Sequence, residues 1–286
     1  MKVKKIKRVN NVQGLRLKQE WQDLEPFMEH EIALINNRIG DLSRVFSFLK
    51  NERLSSPTVG NKVQLLINGE VKFPALFECI SAAQHSIHLE YYIFELDETG
   101  LSLLTLLEKR ASEGLNVRLM VDSIGSSDLV KYLDKCKDSK IQFKEFMPVN
   151  FISLANSNYR NHRKIAVIDG KIGFIGGINI SDRYSNASPH TKQVYWRDTS
   201  VKIEGAAVNM LQIAFWHAWN LADGKPFLLK EGYLQSIRTV DRVGEAAVTF
   251  VASDPASVGP FNMEALLIGI GEANHKIQLV TPYYIP

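Results

Sequence analysis

Residues 159–184, YRNHRKIAVIDGKIGFIGGINISDRY, constrain the fold of this chain more than any other stretch. Basic and apolar residues alternate at the start of 163–168, and the segment then becomes β-branched and apolar, which is typical of a strand with a buried face. Asp169-Gly170 is a strong signal for a two-residue hairpin turn. Residues 171–177 then return as a second strand, so the stretch predicts a β-hairpin.

The turn sets which side chains of the predicted hairpin share a face. With the two-residue loop, Ile168 pairs with Lys171, and His162 falls opposite Gly177. Side chains alternate along a strand, so Lys164 shares a face with His162.

Three polar groups are therefore predicted to converge at one end of the hairpin. The imidazole of His162 and the ammonium of Lys164 meet the carboxamide of Asn179, which the same register brings to their side. The backbone beneath them carries no side chains at Gly176 and Gly177. An imidazole is a nucleophile that can form a covalent phospho-enzyme, and the two donors suit the non-bridging oxygens where charge develops. The trio is predicted to split a phosphodiester.

Composition narrows the remaining function classes. The chain has 286 residues, of which 45% are hydrophobic and 23% charged, as in an ordinary globular protein. Its net charge of +3 argues against a general nucleic-acid surface. Cys79 and Cys136 are too few for a disulfide framework and lack metal-ligand spacing. No apolar run approaches the roughly 20 residues of a membrane span.

The first part of the chain is predicted to be a helical and basic extension with a linker, covering residues 1–58. Met1–Arg8 is rich in lysine and arginine. Leu15–Leu49 repeats apolar residues at helical spacing, with interruptions expected at Pro26 and Gly40. Asn51–Asn61 is predicted to be a linker.

From residue 62 onwards, predicted strands and helices alternate, which favours an α/β fold with a mixed sheet flanked by helices. The segments, in the order strand, helix, strand and so on up to the motif, are Val63–Ile67, Phe73–Ala83, Ser86–Phe94, Leu101–Ser112, Val117–Val121, Leu129–Lys137 and Ile141–Phe146. After the hairpin come a strand, Trp196–Ile203, and a helix, Ala206–Leu221.

An internal repeat is also predicted. Residues 75–94 resemble residues 265–286, and a second copy of the α/β unit would begin near residue 246. At the same offset, a second copy of the motif would fall past Pro286. We therefore expect a first repeat at 59–245 and the start of a truncated second repeat at 246–286; chance similarity of two helix–strand units is the alternative.

The motif His162-x-Lys164-x4-Asp169, followed by a Gly-Gly pair and Asn179, resembles the HKD motif of the phospholipase D superfamily. The flanking segments HLEYYIFELDETG and YWRDTSVKIEGAAV resemble bacterial cardiolipin synthases. The resemblance runs from about residue 59 to the end. It implies a phospholipase D-like fold, and in most relatives two HKD motifs meet in one site.

The resemblance also implies roles. His162 would attack phosphorus, and an acidic residue on the following strand would orient it, with Asp198 the stronger candidate and Glu204 the weaker. Asp169, at the turn, is expected to hold the hairpin. The predicted catalytic group is His162, Lys164, Asp169, Asn179 and Asp198, and the predicted substrate-binding group is Gly176, Gly177, Glu90 and Tyr91.

The implied reaction joins two phosphatidylglycerols into cardiolipin and glycerol through a phosphohistidine, with no metal and no cofactor. The implied ligand is phosphatidylglycerol or another anionic phospholipid. The protein would bind peripherally to the cytoplasmic side of a bacterial membrane. A second HKD half would be supplied in cis or by a homodimer partner. This chain alone is expected to be inactive, and nucleic acid is not expected. The alternatives are a homodimeric phosphodiesterase or nuclease, and a non-catalytic half that binds phospholipid.

Overall fold

A computed structural model describes residues 26–27, 29–35, 43–51, 57–136, 138–146, 160–185, 196–223, 240–252 and 260–280. The prediction for Met1–Arg8 lies outside these residues. The strands are β1 (Thr58–Ile67), β2 (Ser86–Tyr91), β3 (Asn116–Asp122), β4 (Gln142–Phe146), β5 (Ile165–Ile168), β6 (Ile172–Gly176), β7 (Thr199–Glu204) and β8 (Ala246–Val248). The helices are α1 (Ser43–Asn51), α2 (Asn68–Ala82), α3 (Glu98–Ser112), α4 (Ser127–Lys135), α5 (Val208–Ala222) and α6 (Phe261–Gly271).

The described strands form one eight-stranded mixed sheet in the order β4-β3-β2-β5-β6-β7-β1-β8. Strands β2, β3 and β4 are parallel and are joined through α3 and α4, because parallel neighbours need a crossover connection. All other neighbouring pairs are antiparallel. The predicted α/β architecture, a mixed sheet flanked by helices, is confirmed.

Strand β5 is buried on both faces, which explains its continuous apolar sequence IAVI. On one face, Ala166 and Ile168 join the core that contains the buried side chains of α2 and α3. On the other face, Ile165 and Val167 pack in the cluster that includes Leu211 of α5. The strand between Lys164 and Asp169 of the predicted motif is therefore buried at the centre of the domain.

The predicted hairpin is present, but its predicted register is wrong by one residue. Asp169 and Gly170 both have positive φ, 52° and 65°, and Lys171 donates its backbone N–H to the Ile168 carbonyl at 3.0 Å. In the ladder, however, Ile168 pairs with Ile172 and not with Lys171. Asp169 also donates its N–H to Ser86, which keeps it aligned with β2, and Lys171 becomes an extra residue at the start of the return strand. His162 therefore does not fall opposite Gly177.

The predicted linker Asn51–Asn61 is wrong over its last residues, because β1 already begins at Thr58. Gly60, with φ of +78°, sits in an irregularity of the pairing between Thr58 and Asn61. The Asn61 side chain donates to the Thr58 carbonyl at 2.9 Å and accepts from Ala207 N at 2.9 Å. These bonds supply partners where the ladder is interrupted, so the glycine marks a bulge and not a break.

Part of the predicted N-terminal helix is confirmed, since residues 29–35 and α1 are helical. Buried Glu31 joins this region to the sheet by accepting from Val59 N at 2.6 Å and from Arg242 at 2.9 Å. Within the described ranges, the structure contains no helix that combines the length and the apolar character needed to cross a bilayer.

Helix α6 lies where the predicted repeat places a second copy of the C-terminal part of α2. Residues 276–280, the counterpart of β2, form no strand in the structure. Strand β8 pairs with β1 and extends the same sheet. The boundaries at 59, 246 and 286 remain predictions.

Asp169 fastens the hairpin turn to the loop between α2 and β2. Its carboxylate accepts hydrogen bonds from the backbone N–H groups of Gln84, His85 and Ser86 at 2.8, 2.7 and 2.8 Å. Partial burial alone would raise the pKa of Asp169, but these donors together lower it below its usual range. Asp169 thus has the structural role expected from its place in the turn.

We predict that Asp169→Ala lowers the free energy of unfolding by about 1–3 kcal/mol, because three backbone donors lose an ionised acceptor. The folded pKa is depressed, so this contribution is complete above the ordinary aspartate pKa of about 3.9 and is lost as the pH falls through the folded value. Urea unfolding across this range measures the difference. Asp138→Asn, at an exposed position, is the control; equal stability of Asp169→Ala and wild type at neutral pH would contradict the prediction.

Candidate active site

Four segments meet at the end of the sheet opposite the Asp169 turn. Residues 161–164 lead into β5, residues 177–180 follow β6, residues 196–198 lead into β7, and residues 92–95 follow β2. The segments after β2 and β6 are joined by backbone bonds, including Ile180 N to the Ile93 carbonyl at 3.1 Å. Residues far apart in the sequence therefore surround one patch of surface.

The ring of Tyr92 brings His162 and Lys164 together. The imidazole of His162 stacks on this ring with centroids 3.9 Å apart and planes inclined by 17°. The Lys164 ammonium lies 5.2 Å from the centroid of the same ring and donates to the His162 carbonyl at 2.6 Å. His162 is exposed, and its imidazole and the Lys164 ammonium are both placed by the same Tyr92 ring.

Asn179 is buried and firmly held. Its side-chain oxygen accepts from Ile93 N at 3.0 Å, and its amide nitrogen donates to the Tyr184 hydroxyl at 2.8 Å. The amide nitrogen has two N–H groups, and the bond to Tyr184 uses one of them. Asn179 reaches this position through the turn that follows β6. The sequence prediction had relied instead on the alternation of side chains along a strand.

The two glycines of the motif make room for the beginning of β7. A Cβ atom on Gly177 would lie 2.1 Å from one carboxylate oxygen of Asp198, and a Cβ on Gly176 would lie 2.4 Å from the Cα of Ser200. Both distances are far below the closest approach of two non-bonded heavy atoms. The space beside Gly177 is therefore filled by the Asp198 carboxylate, and a role of either glycine in substrate binding remains a prediction.

Asp198 is fixed by its own backbone and by the start of α2. Its backbone N–H donates to the Asn68 side chain at 3.1 Å, and its carbonyl accepts from Asn68 N at 2.9 Å. Its carboxylate accepts from Thr199 N at 2.6 Å. No hydrogen bond between described residues joins Asp198 to His162, so orientation of His162 by Asp198 remains a prediction. The charge of Asp198 acts instead on Lys164, where it opposes the effect of burial, which lowers the lysine pKa to about 8.

Glu90 and Tyr91, predicted to line the cleft, are both buried. Glu90 accepts from Asn161 at 2.6 Å, and burial raises its pKa, against the lowering effect of Arg163 and Asn161. Tyr91 points to the opposite face of β2, and burial raises the pKa of its hydroxyl. Their place in substrate binding remains a prediction.

The surroundings of His162 favour its neutral form. Partial burial lowers the pKa of His162 most, the Lys164 charge lowers it further, and the charge of Asp122 opposes both. Asp122 is buried at the end of β3, where it accepts from Ile124 N at 2.9 Å. A neutral imidazole has a free lone pair and can act as a nucleophile.

Sequence reasoning missed two residues of this site, Tyr92 and Asp122. Tyr92 could have been found, because the alternation of side chains along β2 sets it on the face opposite to Tyr91. Asp122 directly follows the predicted strand Val117–Val121, which pairs with β2, so it lies at the same edge of the sheet.

Residues 76–201 match the model of a protein family described as cardiolipin synthase, PLD-like domain. A cardiolipin synthase from Geobacillus sp. (strain WCH70) is 37% identical over 261 residues, which cover 90% of this chain and 51% of that protein. One from Oceanobacillus iheyensis is 37% identical over 85% of this chain and 49% of its own length. Among solved structures, NucT from Helicobacter pylori has a TM-score of 0.44 and 19% identity, and covers 59% of this chain and 99% of its own.

The chain spans about half the length of the relatives it matches. The matched region contains β2–β6, His162, Lys164, Asn179 and Asp198. The resemblance of the motif and its flanks is confirmed by the family model and by the cardiolipin synthases. Residues 76–201 therefore form a PLD-like domain of the cardiolipin synthase type.

Proposed function

We propose that this chain contributes the nucleophilic half of a phosphatidyl transferase that makes cardiolipin and glycerol from two phosphatidylglycerols. The observation that carries the proposal is the pair formed by His162 and Lys164 on the ring of Tyr92. A neutral, exposed imidazole beside a fixed ammonium is suited to attack a phosphodiester while its charge is stabilised.

In the first step, a ring nitrogen of His162 attacks the phosphorus of one phosphatidylglycerol. The bond between phosphorus and the glycerol headgroup breaks, and a general acid protonates the departing glycerol oxygen. The ammonium of Lys164 and the second amide N–H of Asn179 donate to the non-bridging oxygens as their charge increases. The product of this step is a phosphatidyl-histidine.

In the second step, a headgroup hydroxyl of another phosphatidylglycerol attacks the phosphatidyl-histidine. The same acid, now a base, removes the hydroxyl proton, and the bond between phosphorus and His162 breaks to release cardiolipin. We assign this acid–base role to the histidine of a second HKD half, supplied in cis or by a partner chain. Residues 59–245, as the first repeat, would supply the half that carries His162.

The substrate sets where the protein works. Phosphatidylglycerol is an anionic membrane lipid, so the site must reach a bilayer surface, and we place it on the cytoplasmic side as a peripheral element. Each lysine or arginine within Met1–Arg8 would add about 1 kcal/mol of attraction to anionic lipid near the surface.

We predict that His162→Asn, in the complete gene product, reduces phosphatidylglycerol turnover in vesicles at least about a thousandfold, because the attacking nitrogen is lost. Turnover is followed by the release of glycerol. His275→Asn, which removes an exposed histidine on another part of the chain, is the control and should remain active. Turnover of His162→Asn at the control rate would remove His162 from the mechanism.

We also predict that His162 titrates below the ordinary histidine pKa of about 6.5. Lys164→Met should raise the pKa of His162, since a neighbouring positive charge disfavours the imidazolium. The measurement is an NMR titration of the imidazole signals of this chain, assigned with His162→Asn. Lys171→Met, at the exposed turn of the same hairpin, is the matched control. An unchanged pKa of His162 in Lys164→Met would contradict the proposed pairing.

A further inference from the structure

Lys72 is a lysine in the interior of the domain, with a relative exposure of 1%. It lies one helical turn after Asn68, the first residue of α2, and residues at this spacing share a helix face. Asn68 is bonded twice to the backbone of Asp198. These bonds hold the start of α2 against Asp198. The Lys72 side chain extends from there towards the segment 177–180 of the candidate site.

The Lys72 ammonium is fixed by the segment that follows the motif glycines. It donates to the carbonyl of Ile178 at 2.6 Å, directly between Gly177 and Asn179. It also lies 4.7 Å from the centroid of the Tyr91 ring and 5.7 Å from that of Phe73. A hydrogen bond and two aromatic faces therefore hold one positive charge in place.

Three titratable groups surround this charge. Asp198 approaches from the segment before β7, Lys164 from the segment before β5, and the ring of Tyr91 from β2. Burial lowers the pKa of Lys72 to about 7, the charge of Asp198 opposes this effect, and the charge of Lys164 adds to it. When Lys72 and Lys164 are both protonated, two ammonium groups face the single carboxylate of Asp198. The net charge of the three groups is then positive, which favours an anion.

A buried ammonium is costly and needs a reason. An apolar side chain of similar length would fill the same space without desolvating a charge, and such replacements are often neutral or stabilising. The phosphate that the site is proposed to bind would explain the buried ammonium. A positive charge beneath a partly buried anion interacts with it strongly, because the medium between them has a low dielectric constant.

We propose that Lys72 is a supporting residue of the anion site, which holds a second positive charge beneath the phosphate and is fixed there by the Ile178 carbonyl. This inference rests on the proposed function of His162 and Lys164. Lys72 does not touch the substrate; it acts through space on the bound anion and through Ile178 on the position of Asn179.

The test is sulfate binding to this chain, measured by NMR titration. Sulfate is tetrahedral and keeps the same charge through the neutral range, so a change of affinity with pH reports on the protein. The variants are Lys72→Met, which keeps the length without charge, and Lys72→Gln, which also keeps a donor for Ile178. Lys109→Met, on the exposed side of α3, is the matched control. Thermal unfolding of each variant verifies that the fold persists.

At about pH 6, where Lys72 carries its charge, both Lys72 variants should weaken sulfate binding about tenfold. At about pH 9, where Lys72 is largely neutral in the wild type, the dissociation constants of variants and wild type should converge. The control should bind as the wild type does at each pH.

Two results would overturn the inference: wild-type affinity of both Lys72 variants at the lower pH, or an equal loss at both pH values, which would indicate a purely structural lysine. The failure of the proposed function looks different. In that case sulfate affinity would not respond to Lys164→Met or His162→Asn, whereas failure of the inference alone leaves those responses intact.

Discussion

The carboxylate of Asp198 fills the space that a side chain at position 177 would need, and the candidate site depends on this contact. A Cβ atom at Gly177 would lie 2.1 Å from a carboxylate oxygen, so only glycine allows the two segments to approach so closely. The approach is reinforced by a backbone bond from Gly177 N to the Thr199 carbonyl at 3.0 Å. It places a fixed negative charge between β6 and β7, within electrostatic reach of both Lys164 and Lys72.

The two ends of β5 have different physical tasks. At one end, Asp169 uses its whole carboxylate to fasten the turn to the neighbouring loop. At the other end, His162 and Lys164 leave the regular strand and rest on Tyr92, with the imidazole exposed. A strand buried on both faces separates these ends, so the reactive side chains stand on a rigid base. Precise placement of this kind is what a reaction controlled by orientation and charge requires.

The sequence was sufficient for the hairpin and the mixed α/β sheet, because strand alternation and an Asp-Gly turn are local signals. His162 and Lys164 do lie at the same Tyr92 ring, but in the segment before β5 and not on the strand whose alternation was used to predict it. The sequence was not sufficient for the register, because Lys171 enters as an extra residue, which depends on how Asp169 is bonded to β2. Gly176 and Gly177 were predicted to leave a backbone without side chains beneath the polar groups. In the structure, the carboxylate of Asp198, from a distant segment, fills the space beside Gly177. Lys72 could not be recognised either, since its burial depends on where Asn68 meets Asp198. These features come from tertiary contacts, which no local pattern encodes.

The central claim is that His162 carries the phosphatidyl group between two lipids. The most direct measurement is to mix the complete gene product with phosphatidylglycerol vesicles, quench in guanidinium chloride at mildly basic pH, where both the phosphorus–nitrogen bond and the acyl esters survive, and map the adduct by mass spectrometry. We expect the peptide that contains His162 to gain the mass of a phosphatidyl group during turnover. An adduct on another residue, or undiminished turnover without any adduct on His162, would contradict the account.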